Sequence, residues 1–106
     1  MVDSLAETRI PVVWSDGNVK RVLQPKLKLP QQLLLLIATS VPDVSLQELI
    51  DWTEYRDKKY FMRTVRALHS SRWIELTEST GRAQILPPGT KEVEKLVHEK
   101  GLSGLV

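Results

Sequence analysis

The chain has 106 residues, a length that fits one domain whose hydrophobic core can hold the fold without staples. A hydrophobic share of 42% and a charged share of 26% are ordinary for a globular protein, and the absence of cysteine excludes disulfides, thiolate zinc sites and cysteine nucleophiles together. The formal net charge of +2 is too small to name a partner, but the distribution is uneven: residues 43–54 carry Asp43, Glu48, Asp51 and Glu54 with no Lys or Arg, whereas residues 56–72 carry six cations against Asp57 alone.

The N-terminal residues include Asp3 and Glu7 where a secretory signal needs positive charge, and the longest apolar run, 33–38, is far too short to span a bilayer. A soluble, cytoplasmic protein is expected, in keeping with the missing cysteines. Residues 10–23 then hold two β-rich runs around Asp16, Gly17 and Asn18, a sequence that turns easily because it tolerates positive φ. This predicts a hairpin, with Pro11 at a strand start or edge. A lone hairpin is marginal in water, so it must lie on the main domain or on a partner. A basic connector with Lys26 and Lys28 follows, and Pro30 suits the opening of a helix over 31–39 that is apolar on all sides and hence buried.

Ser45 with Glu48 three residues on forms a capping box, opening a short helix to about residue 52 or 53 with Leu46, Leu49, Ile50 and Thr53 on one face. A third helix is predicted over 56–70. Phe61, Val65 and Leu68 make its inward stripe, and at about 100° per residue Lys59, Met62, Arg63 and Arg66 fall on the opposite side. Strands follow over 73–78 and 83–86, joined by a turn at 79–82, and a last helix runs over 90–100 on Val93, Leu96 and Val97 until Gly101 stops it. The expected organisation is an N-terminal arm and connector over 1–28, a main domain over 29–100 and a tail over 101–106.

A short helix, a tight turn, a basic amphipathic helix and then a two-stranded ribbon make a helix-turn-helix followed by a wing. Residues 45–50, the end of the third helix at Val65, Arg66, Ala67 and Leu68, and the strand Trp73, Ile74, Glu75 and Leu76 together resemble winged-helix bacterial regulators of the MarR and PadR type. So does the stretch of Leu86, Pro87 and Gly89, which leaves the second wing strand and opens the next helix. The resemblance covers roughly residues 29–100. It implies an α+β, mainly α fold: a three-helix core with a β-hairpin wing and a C-terminal helix, here with an extra N-terminal hairpin. Many relatives place glycine between the third helix and the wing, where this chain has Arg72; a positive φ there strains a non-glycine residue.

What the resemblance implies is sequence-specific binding of double-stranded DNA by a transcriptional regulator, with the third helix in the major groove. Arg63 is the expected base contact, since a guanidinium engages guanine O6 and N7 with two bonds. Lys59 and Arg66 reach bases or phosphates, Met62 shares their face, and Arg56, Lys58 and Tyr60 grip phosphate. Arg82 at the wing tip reaches backbone or minor groove. Ser45, at a helix N-terminus, offers backbone N–H groups to phosphate. A homodimer is expected, because such dimers set two reading helices about 34 Å apart; the last helix and the N-terminal hairpin are the available contact surfaces.

Trp52 and Trp73 are expected in the core, while Trp14 is a candidate anchor for a dimer or partner. His69 and His98 lack metal-ligand spacing, and Asp51 and Glu54 read as surface acids. No phosphate loop or nucleophile elbow is present, so neither an enzyme, a cofactor, a metal nor a small-molecule ligand is expected. The competing reading is a winged-helix protein–protein interaction module, or an accessory subunit of a nucleic-acid-processing complex.

Overall fold

The computed structural model describes residues 13–16, 19–23 and 27–99. Its elements, in chain order, are β1 (Val13–Ser15), β2 (Lys20–Val22), α1 (Leu29–Ala38), β3 (Val44–Ser45), α2 (Leu46–Thr53), α3 (Lys58–Ser70), β4 (Ile74–Thr77), β5 (Arg82–Ile85) and α4 (Pro87–Glu99). The described residues thus form an α+β domain of four helices and two small antiparallel sheets.

The centre is α1. Pro30 lies in its first turn, and the Lys28 N–H donates to the Gln31 side chain at 3.0 Å. Leu29 and the whole run from Leu33 to Ala38 are buried, because β2, α2, α3, α4 and β5 all pack around this helix. An all-apolar helix has no solvated face to offer and is stable only when surrounded.

The N-terminal hairpin pairs Val13 with Val22, Trp14 with Arg21 and Ser15 with Lys20. It lies on the main domain, with β2 against α1 and α2. Two consecutive cations hold it there. Lys20 Nζ donates to the Thr39 carbonyl and to Ser40 Oγ (3.0 Å) at the end of α1, and stands 5.8 Å from the Trp52 ring centroid. Arg21 donates to the Trp52 carbonyl (3.1 Å) at the end of α2 and approaches Glu54 (3.7 Å). Helix C-termini carry unpaired carbonyls and partial negative charge, which cations satisfy. The expected turn at Gly17 and Asn18, the connector residues Pro25 and Lys26, and the helix stop at Gly101 lie outside the described residues.

Ser45 caps α2 as its spacing implies: the Glu48 N–H donates to Ser45 Oγ at 3.0 Å and the Ser45 N–H donates to Glu48 Oε1 at 3.1 Å. Leu49 and Trp52 are the buried residues of α2. Helix α3 begins at Lys58, two residues later than predicted, because Asp57 is extended and its carboxylate accepts the Tyr60 N–H at 3.0 Å. An N-cap aspartate satisfies one orphan donor and marks the start. Phe61, Thr64, Val65 and Leu68 bury the inner face.

The second sheet has the order β3-β5-β4. Strand β3 was not expected; at two residues it is too short to show alternation. It pairs Val44 with Ala83 and Ser45 with Arg82, and the Leu46 N–H donates to the Gly81 carbonyl at 2.8 Å. Ile74, Leu76, Ala83 and Val44 are buried beneath the sheet, while Glu75, Thr77, Arg82 and Gln84 are exposed above it. Helix α4 starts at Pro87 rather than at 90: proline needs no N–H partner in a first turn, and the Thr90 N–H already donates to the Leu86 carbonyl at 2.9 Å. Val93 and Leu96 face inward, as the periodicity predicts. No helix among the described residues is long and apolar enough to cross a membrane.

Candidate nucleic-acid interface

Helix α3 separates its two faces cleanly. With Phe61, Val65 and Leu68 inward, residues 59, 63 and 66 emerge on the far side at about 100° per residue. Lys59, Arg63 and Arg66 are all exposed, as are Arg56 and Lys58 where the chain enters the helix. Arg56, Lys58, Lys59 and Arg63 make no ion pair among the described residues. Tyr60 is 38% exposed and its ring lies 5.8 Å from that of Tyr55, tilted by 31°. The pair sits at the entry to α3 and leaves the Tyr60 ring at the surface.

Three expected site residues behave differently. Met62 is half-buried and packs against the core, because it sits on the flank of α3 and not on its outer face. A thioether on the flank fills a gap between helix and core. Arg82 is the first residue of β5 instead of the wing tip, and Asp43 holds its guanidinium through a single carboxylate oxygen, with Nε at 3.0 Å and Nη2 at 2.5 Å. The Ser45 hydroxyl and N–H are both engaged by Glu48, so a carboxylate occupies the helix N-terminus offered to phosphate. Ser45 and Arg82 are cross-strand neighbours on β3 and β5, apart from the α3 face.

Arg66 is exposed but engaged: its Nε lies 3.4 Å from Glu78 Oε2, in the turn between β4 and β5. The wing therefore presents Glu75 and Glu78 outward, while its single strand cation is neutralised by Asp43. His69 ties wing to helix, accepting the Leu76 N–H at Nδ1 (3.1 Å) and satisfying a donor on the edge strand β4. Its role is structural, and no sequence spacing announced it. Trp52 and Trp73 join the core as expected, and Trp14 is 46% exposed on the hairpin.

At the end of α3, Ser71 is the cap and Arg72 follows with φ of 64°. The Arg72 N–H donates to the His69 carbonyl (3.0 Å) and the Trp73 N–H to the Leu68 carbonyl (3.1 Å). These two bonds define a Schellman motif, whose left-handed residue is usually glycine. The strain anticipated at Arg72 is thus present, and its exposed guanidinium is one more cation at the C-terminal end of α3.

Among the described residues no three His, Asp or Glu side chains come together in a way that could hold a metal ion. Compared with known protein families, curated proteins and solved structures, the chain matches none.

Proposed function

We propose that this chain is a winged helix-turn-helix domain that binds double-stranded DNA, and that it serves as a transcriptional regulator working as a homodimer. In this reading α2 and α3 are the helix-turn-helix, β4 and β5 the wing, and α3 the element that enters the major groove. The observation that carries it is the outer face of α3. Lys59 and Arg63 stand exposed and without a counter-ion among the described residues, opposite the residues that bury the helix. Arg63 sits mid-helix as the base contact, and Arg56 and Lys58 take flanking phosphates.

The experiment is selection of binding sites from random duplexes by the full chain at two salt concentrations. A recovered consensus is expected, with affinity falling steeply as salt rises. Arg63→Ala should cost about 1–3 kcal/mol at the selected site while leaving the fold intact. Failure to retain any duplex at low salt removes the proposal.

A second reading is a protein–protein interaction module. It is favoured by the acidic wing, where Glu75 and Glu78 face outward and Arg82 is bound to Asp43. Such a surface suits a basic partner protein better than phosphate. Capture of one basic partner that weakens with salt and with Glu75→Gln, with no duplex binding, would establish it.

A further inference from the structure

We propose that Arg72 is an anion contact that extends the α3 face past the end of the helix. On the reading above, which this inference rests on, its ligand is a phosphate of the nucleic-acid backbone.

The argument starts from two backbone positions. Among the described residues, only Glu54 and Arg72 combine a side chain with positive φ, at 55° and 64°. Both follow helices, where glycine relieves the clash between Cβ and the backbone. At Glu54 the side chain has an internal role: its carboxylate faces Arg21, which also donates to the Trp52 carbonyl and secures the N-terminal hairpin. At Arg72 the backbone alone does the structural work. Its N–H closes the Schellman motif with the His69 carbonyl, and any residue with an N–H, glycine included, would do the same. The guanidinium is exposed and makes no hydrogen bond or ion pair among the described residues.

A strained position occupied by a long cation with no internal partner points outward for its explanation. The chemistry is that of an anion with several acceptor oxygens, which a guanidinium engages with paired bonds. Arg72 comes two residues after α3 ends at Ser70, and about one and a half turns of helix separate it from Arg66, so a polyanion spanning the C-terminal end of α3 comes within reach of it. The contact replaces the one denied by the wing, where Asp43 holds Arg82.

The test compares the full-length wild type with Arg72→Gly and Arg72→Lys in three measurements: thermal unfolding, retention on heparin across a salt gradient, and binding to a duplex. Arg72→Gly should raise Tm by about 4 °C through relief of the left-handed strain. The same variant should elute from heparin at lower salt and bind duplex about three- to ten-fold more weakly, with a salt slope shallower by about 0.9. Arg72→Lys keeps the charge and the strain but not the paired bonds, and should keep the wild-type Tm and salt slope with an affinity between those of wild type and Arg72→Gly.

A stabilised Arg72→Gly with unchanged retention and unchanged duplex affinity overturns the inference. So does a destabilised one, which would mean that the guanidinium serves the carbonyls at the end of α3. Heparin retention that depends on Arg72 in a protein that binds no duplex supports the anion site and removes the DNA reading instead. Duplex binding that ignores Arg72 does the reverse.

Discussion

Gly89 stands where a side chain has no room. A Cβ built there would meet the Trp73 carbonyl oxygen at 1.9 Å and Ile85 Cδ1 at 2.8 Å, because the first turn of α4 lies directly on the segment leaving α3. The Trp73 carbonyl also accepts the Leu86 N–H at 3.0 Å, so it cannot move aside without losing that bond. Gly89→Ala is expected to lower stability by about 3 kcal/mol, read as a reduced urea midpoint with an unchanged slope. The sequence singled out this glycine only through a resemblance; its physical reason is a contact between segments far apart in the chain. The capping box at Ser45 and Glu48 was legible outright, because both partners lie within one turn. Met62 was misplaced because one residue past Phe61 is only about 100° around the helix, which is the flank of α3 and not the side opposite its buried stripe.

At the scale of elements, the wing and the hairpin each make charged contacts with the helices. Glu78 reaches from the β4–β5 turn to Arg66 on α3 and competes with any phosphate for the same guanidinium. Glu78→Gln should therefore tighten duplex binding about two- to five-fold and steepen the salt dependence by about 0.9; equal affinity across a salt titration would mean that Arg66 takes no part. Glu75→Gln, an exposed wing carboxylate without an Arg66 contact, is the control and should change less. The N-terminal hairpin was predicted from its turn sequence, but its docking was not. Lys20 is buried at the end of α1, donating to the Thr39 carbonyl and to Ser40. Removing it leaves those acceptors unpaired, and Lys20→Ala should destabilise by about 2–3 kcal/mol in chemical denaturation. A loss below about half a kcal/mol would show that the hairpin is dispensable to the fold. Strand β3 could not be foreseen for a related reason: two residues have no period, and only pairing with Ala83 and Arg82 makes them a strand.

For the whole molecule, the proposed duplex binding rests on the exposed cations of α3 and its flanks. With Arg56, Lys58, Lys59 and Arg72 each neutralising one phosphate and Arg63 on a base, log affinity should fall against log salt with a slope of about −3.6. A slope near zero in a fluorescence titration would show that these cations meet no polyanion. By itself the sequence determined the buried stripes of α3 and α4 and the all-apolar α1, along with the α+β content and the order of the main helices and hairpins. Those properties follow from spacings of two to four residues, and local geometry is written locally. Only the tertiary structure decided which cations stay free. The pairs that neutralise Arg66 and Arg82 join residues 12 and 39 positions apart, and the lysine that anchors the hairpin reaches 19 positions along the chain. Whether two such groups meet depends on how the helices pack around α1, and no spacing within one element encodes that.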